Sequence, residues 1–294
     1  MAKLKQCIPR PCRRFLHAFH IQTRMLNAAR RAWPSFLIIG AQRAGTTSLY
    51  HWLNQHPALQ GSCPKEVHYY DGGLWPDRDN YTRGERWYRA HFPLNPRSKN
   101  HAYTLAFEAS PSYLFYPLAA QRIYADMPNI KLIALLRDPV ARAISHYRLC
   151  ARLGHETLPM EEALEAEPAR LEHAWKTGDF NHSSFLHHSY LARGRYLEQL
   201  KRYAAIFPRA SLLVLQSEYV FKDPLVQLRR IFTFLNVDTA CVPADLGTLN
   251  TNKYRPVGVA SVFEKKLYTY FAPHNQALFE WLGESFDWPT PDAH

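Results

Sequence analysis

The chain is predicted to be an α/β protein, with a P-loop-like parallel sheet covered by helices on both faces. Three observations predict this. From Pro34 onward, short apolar runs suited to buried strands alternate with segments of helical periodicity. Two helices open on an Asp-Pro pair, Asp138-Pro139 and Asp223-Pro224, a capping residue followed by a proline in the first turn. The first apolar run ends in a loop framed by Gly40 and Gly45 and closed by Thr46, Thr47 and Ser48 at a helix start. With 294 residues, 47% hydrophobic and 14% aromatic, the chain can fill one large core.

Residues 1–33 read as a basic extension ahead of a domain spanning 34–289. Lys3, Lys5, Arg10, Arg13, Arg14, Arg24, Arg30 and Arg31 lie there with no Asp or Glu, so eight charges of the formal +11 belong to it and +3 remains elsewhere. The nucleic-acid reading suggested by the whole-chain charge therefore shrinks, and none is expected as a partner. Phe15, Leu16, Phe19 and Leu26 allow one weakly amphipathic helix, and three uses stay open: a solvated tail, an acceptor-side arm, or a peripheral membrane contact.

Phe36–Gly40 is the first strand, followed by a helix over Thr47–Asn54. Leu105–Glu108, Ile130–Leu136 and Leu212–Leu215 are further strands. Asp138-Pro139 starts a helix. Tyr196, Leu200, Tyr203 and Phe207 form a helical stripe ending at Pro208, and Leu225, Leu228, Ile231, Phe232 and Leu235 form another after Asp223-Pro224. Two last helices are expected to meet at Pro273. Arg152–Tyr190 breaks the rhythm with an acidic helix and with His182, His187 and His188, whose spacing lacks the carboxylate or Cys partners of a zinc site. It reads as an insertion over the active site.

Five cysteines with no CxxC pair signal neither a disulfide scaffold nor a metal site, and no metal is expected. No window reaches the ~20 apolar residues of a membrane span. His17, His20, Gln22 and Arg24 interrupt what a secretory signal would need to be apolar.

The glycine-framed loop carries the first chemistry. Free amides and the positive end of the helix dipole converge on one small volume, a cradle for phosphate. Thr46 stands where the nucleotide-triphosphate consensus has Lys, and the cation of the loop is Arg43 instead, which argues against an ATP or GTP site.

GAQRAGTTSL resembles the 5′-phosphosulfate loop of sulfotransferases that use 3′-phosphoadenosine 5′-phosphosulfate (PAPS). Within them it is similar to the heparan sulfate N- and 3-O-sulfotransferase branch and its bacterial relatives. The resemblance implies that PAPS binds on Arg43, Gly45, Thr46, Thr47 and Ser48. The segment KEVHYYD, Lys65 to Asp71, is similar to the family segment whose glutamate is the proposed base, which implies that role for Glu66 with His68 as the fallback. Transfer to a hydroxyl or amine does require a proton acceptor, and a carboxylate beside the donor can serve. LLRDPVARAISHY, Leu135 to Tyr147, resembles the family's 3′-phosphate site and implies Arg137 and Ser145 as its ligands, with Arg142 and Arg148 exposed. LNTNKYRPVG resembles a basic loop that closes over the nucleotide, leaving Lys253 and Arg255 as candidates. Gly194, Arg195 and Tyr196 match a short family segment.

Two departures stand out: Arg43 replaces a lysine, and EASPSY (Glu108 to Tyr113) has Ala109 where the family carries a second active-site cation. The resemblance implies a sulfotransferase acting on a carbohydrate hydroxyl or amine. Because the family's Golgi members are anchored, it also implies a cytoplasmic, bacterial setting. Trp75, Tyr81, Trp87 and Tyr88 are candidates to stack on a sugar. The competing readings are a nucleotide kinase or NTPase and a non-enzymatic polyanion-binding protein.

Overall fold

The computed structural model describes residues 10–76, 78–95, 105–247 and 262–291, with side chains from residue 18 on. Five strands form its centre: β1 (Phe36–Gly40), β2 (Leu59–Gly61), β3 (Leu105–Ala109), β4 (Lys131–Leu136) and β5 (Leu212–Gln216), in the order β2-β3-β1-β4-β5. Every adjacent pair is parallel. All five residues of β1 are buried. Side chains alternate across a strand, so full burial means that both faces of the sheet are covered. The described helices are α1 (Arg10–Met25), α2 (Thr46–Leu53), α3 (Glu85–Arg89), α4 (Ala119–Asp126), α5 (Pro139–Leu153), α6 (Met160–Glu165), α7 (Glu167–Thr177), α8 (Ser183–His187), α9 (Tyr196–Ala204), α10 (Ser217–Lys222), α11 (Pro224–Leu235) and α12 (Val262–Leu282).

The strands read from the sequence are present, while the short edge strand β2 carried too little apolar signal to be foreseen. Both Asp-Pro starts are caps. Asp138 accepts from the amides of Val140 and Ala141 at 3.1 and 3.2 Å, and Asp223 accepts from Val226 at 3.3 Å. The carboxyl ends of the parallel strands share one edge, the ligand edge of open α/β sheets.

One expectation changes. Pro273 does not separate two helices but lies inside the continuous α12. Phe263, Leu267, Phe271 and Leu278 stay in phase across it and are buried, so packing holds the helix together despite the lost backbone bond. Part of the segment ahead of residue 34 also packs on the domain. Ile21, Ala28, Arg31 and Ala32 are buried. Arg24 and Arg31 donate to the Phe92 carbonyl at 2.5 and 2.8 Å, and Ala32 N–H donates to Pro93 O at 2.9 Å. Among the described side chains, Ile21 and the stretch 28–32 therefore include buried residues, and the arginines counted as tail charge cap a loop carbonyl.

The 152–190 insertion is built into the core as well as lying over it. Phe185 of α8 is buried and stacks on Phe115, with ring centroids 4.9 Å apart. Its histidines have structural work. His182 Nδ1 accepts from the Ser184 amide at 3.3 Å, His187 stacks on His155 at 4.0 Å, and His188 bonds the His155 carbonyl at 2.8 Å. Among the described residues, no helix is long and apolar enough to cross a membrane.

Candidate active site

The loop after β1 wraps the carboxyl edge of the sheet. Arg43 and Gly45 both take left-handed backbone angles, φ 71° and 88°, which turn the chain into α2. A side chain at Gly45 would collide with the Phe221 ring at 2.4 Å, so only glycine fits the turn. The first bond of α2 runs from Leu49 N–H to Gly45 O at 3.2 Å, which places the amides of Thr46, Thr47 and Ser48 ahead of it at the positive end of the helix. The loop is braced from outside. Ser217 Oγ donates to the Ala44 carbonyl at 2.8 Å and Ala41 N–H donates to Leu135 O at 2.6 Å. The Thr46 and Ser48 side chains are buried and Thr47 is half-buried.

Arg43 and the proposed 3′-phosphate residues form one unit. Arg43 Nε donates to Ser145 Oγ at 3.0 Å, and Arg137 Nη1 donates to the Arg43 carbonyl at 3.1 Å. Arg137, at the end of β4, is itself held: Tyr196 Oη donates to its carbonyl at 2.8 Å, and the next amide, of Asp138, donates to Glu218 at 2.9 Å. Tyr196 is thus more than core. Burial lowers the Arg43 guanidinium, Arg137 and Arg152 lower it further, and Cys150 and Glu66 act in the opposite sense. Glu66 therefore lies within electrostatic reach of Arg43.

Glu66 is exposed and sits between two cations. Lys65 Nζ contacts its Oε1, and His68 Nε2 lies 3.4 Å from its Oε2. His68 is buried in a left-handed backbone conformation, φ 54°, with Nδ1 2.7 Å from Asp71 Oδ2. Burial pulls the imidazole down, but Asp71 first and Glu66 second carry it up to about 10. Desolvation of its covered part pushes the Glu66 carboxyl up, and the neighbouring His68 and Lys65 cations outweigh that and hold it at about 2. At neutral pH the row is therefore carboxylate, imidazolium, carboxylate, with the outer carboxylate facing solvent. A charged imidazole in such a row has no lone pair left to act as a base.

Arg142 departs from expectation. It is fully buried, donating to the Tyr190 carbonyl, because its position on α5 faces the α7–α9 region rather than water; Arg148 is exposed as predicted. Trp87 and Tyr88 are packed inside, Tyr88 stacked on Tyr69 at 4.5 Å, so neither can meet a sugar. Tyr81 is half-buried against Arg122, and Trp75 is exposed. Lys253 and Arg255 lie outside the described residues.

The sequence reading passed over Asp71, whose place three residues after His68 was the available signal. It also passed over Arg193, buried on Phe115 at 4.6 Å with Nη1 3.4 Å from Ser112 Oγ. Burial brings Arg193 down to about 10, and Asp71 is the first of the groups that support it. Arg193 is thus a buried cation on the turn before α9 that no local pattern marks.

Comparison with known proteins adds three findings. The family described as "Sulfotransferase domain" matches residues 34–251. Human heparan sulfate glucosamine 3-O-sulfotransferase 5 is 25% identical over 278 residues, covering 87% of this chain and 74% of the relative. A human bifunctional heparan sulfate N-deacetylase/N-sulfotransferase 3 is 30% identical over 215 residues, 69% of this chain but 22% of that protein. Among solved structures, a sulfotransferase from Alicyclobacillus acidocaldarius superposes with a TM-score of 0.69 at 30% identity, covering 87% of this chain and 98% of that one.

Proposed function

The chain belongs to the sulfotransferase family, and from that premise we propose that it transfers a sulfuryl group from PAPS to a hydroxyl or amine of a sugar or glycan. The amides of Gly45, Thr46, Thr47 and Ser48 with Arg43 would receive the 5′-phosphosulfate, and Arg137 and Ser145 the 3′-phosphate. Arginine suits both places because its fork makes two charge-assisted bonds to phosphate. The similar heparan sulfate sulfotransferases support the carbohydrate class of acceptor.

The reaction is an in-line displacement. The acceptor oxygen or nitrogen bonds to sulfur as the bond from sulfur to the 5′-phosphate oxygen breaks. 3′-Phosphoadenosine 5′-phosphate (PAP) leaves with that electron pair, and the acceptor proton passes to Glu66. Glu66 is a weak base while Lys65 and His68 hold it, but the acceptor becomes acidic only as the sulfur bond forms. Arg43 stabilises charge on the departing phosphate without giving up a proton.

The observation that carries this reading is the Arg43–Ser145 bond, since it joins the glycine-framed loop to α5 beside Arg137, with Glu66 in electrostatic reach. Calorimetric titration with PAP tests the donor site, and transfer from radiolabelled PAPS to a panel of sugars, phenols and amines tests the acceptor. A protein that ignores PAP and instead hydrolyses ATP with Mg²⁺ would return the reading to a nucleotide kinase.

A further inference from the structure

EASPSY remained unexplained beyond its missing lysine, and its other residues converge under the proton-accepting segment. We propose that Glu108, Ser110 and Tyr113 are positioning residues that hold the His68–Tyr69 backbone, and through it the Glu66–His68–Asp71 row, against the sheet. The inference rests on the reading of Glu66 as proton acceptor.

Glu108 lies on β3 one residue before its end and is fully buried. Its Oε1 accepts from Ser110 Oγ at 2.5 Å and from Tyr113 Oη at 2.7 Å, and its Oε2 accepts from Tyr88 Oη at 2.6 Å. Two of those hydroxyls have a second bond. His68 N–H donates to Ser110 Oγ at 3.1 Å, and Tyr69 N–H donates to Tyr113 Oη at 2.9 Å.

The directions are forced. A backbone amide can only donate, so each hydroxyl oxygen accepts there and must send its single hydrogen elsewhere. One carboxylate oxygen takes both hydrogens. Two consecutive amides are therefore anchored through two hydroxyls to a single atom of the sheet.

What they anchor needs holding. A left-handed backbone is unfavourable for a residue with a side chain, and His68 adopts it at φ 54°. That turn places the imidazole 2.7 Å from Asp71 and 3.4 Å from Glu66. Were the segment to relax to right-handed angles, the row would lose its geometry. The platform is also tied to the donor loop, because Leu114 N–H donates to Ile39 O of β1 at 2.7 Å. Donor loop and proton acceptor thus share one frame. A buried carboxylate is a demanding way to fill a core, and apolar residues of similar volume are often as stable. Orienting two hydroxyls is a task that apolar residues could not perform.

The test uses the full chain in three variants, free of nucleotide for calorimetry, saturated with PAP for NMR and supplied with PAPS for turnover. Ser110→Ala and Tyr113→Phe each remove one anchor, while Tyr88→Phe removes the third hydroxyl on Glu108 without touching either amide. Three readouts are taken: PAP affinity by calorimetry, the His68 titration by NMR of labelled histidine, and kcat with heparosan as acceptor. Ser110→Ala and Tyr113→Phe should keep PAP affinity within about threefold and lower kcat roughly ten- to a hundredfold, the scale of an ångström-sized misplacement. Both should move the His68 titration from about 10 toward 6.5. Tyr88→Phe should match the wild type in every readout.

Unchanged kcat and His68 titration in either anchor variant would overturn the proposal. So would a Tyr88→Phe change as large as that of Tyr113→Phe, which would mean general loosening of the core. If Ser110→Ala fails to fold, Tyr113→Phe decides alone, and if heparosan is not an acceptor, the His68 titration decides. Failure of the underlying reading shows separately, as wild-type protein that does not bind PAP or as Glu66→Gln with unchanged turnover.

Discussion

Asp71→Asn should convert a pH-insensitive clamp into one that lets go near neutrality. In the wild type the buried imidazole stays charged because Asp71, 2.7 Å away, and Glu66 overcome the pull of burial and carry it to about 10, against 6.5 for free histidine. A folded-state value raised in this way contributes stability that is complete below pH 6.5 and disappears as pH rises through 10. Linkage gives about 4 kcal/mol at pH 6.5 and about 1 kcal/mol at pH 9. Asparagine keeps the shape of the partner but not its charge, so burial regains the upper hand and the contribution falls.

The stability gap between wild type and Asp71→Asn should therefore be full at and below about pH 6.5 and close toward pH 10. Urea unfolding of both proteins at pH 6.5, 8 and 9.5 measures it, and NMR of the histidines gives the titration directly. A gap that stays constant across this range, or a wild-type His68 that titrates near 6.5, would refute the imidazolium clamp.

Arg43→Ala and Arg137→Ala should separate catalysis from binding: the first lowers turnover, while the second weakens PAP by roughly 1.5–3 kcal/mol, about ten- to a hundredfold, in calorimetry. Unchanged affinity in Arg137→Ala would remove the proposed 3′-phosphate contact. Glu66→Gln should keep PAP affinity and lose roughly 10²–10⁴ in transfer rate; a larger loss in His68→Ala with Glu66→Gln still active would make histidine the base. Deleting Met1–Ala32 should lower the melting temperature by roughly 5–15 °C, because Ile21 and the Arg24 and Arg31 bonds to Phe92 go with it. An unchanged melting temperature would mean that these contacts add nothing to the fold.

The elements legible in the sequence were those whose signal is local. β1 and β4 read as apolar runs because they are covered on both faces, and Asp138 and Asp223 read as caps because capping is a contact over two or three residues. What could not be read depends on partners far along the chain. Nothing near Pro273 says that Phe271 and Leu278 lie on one buried stripe of a single helix. Nothing near Arg31 says that it will meet the carbonyl of Phe92, so charge alone sent it to the tail. Arg142 was misplaced for the same reason: a guanidinium is sent to water unless its acceptor, here the Tyr190 carbonyl 48 residues away, is known. In the site, Arg43, Ser145 and Arg137 were assigned through motif resemblance, but the bond joining Arg43 to Ser145 spans 102 residues and belongs to the fold.

The charges of the site fit this division of labour. Its arginines cannot act as acids in the reaction, since they keep their protons, and His68 is fixed between two carboxylates. A sulfuryl transfer tolerates this, since the departing phosphate is a stable anion that needs positive charge nearby rather than a proton. Only the acceptor must lose a proton, and Glu66 is the carboxylate of the row that faces solvent, Asp71 being buried behind the imidazole. Replacing the loop lysine by Arg43 then removes a possible proton donor without removing the charge. The left-handed turn of His68 acquires a reason as well. It brings the imidazolium to within 3.4 Å of Glu66, so that on the proposed reading the carboxylate would be held in place before an acceptor arrives.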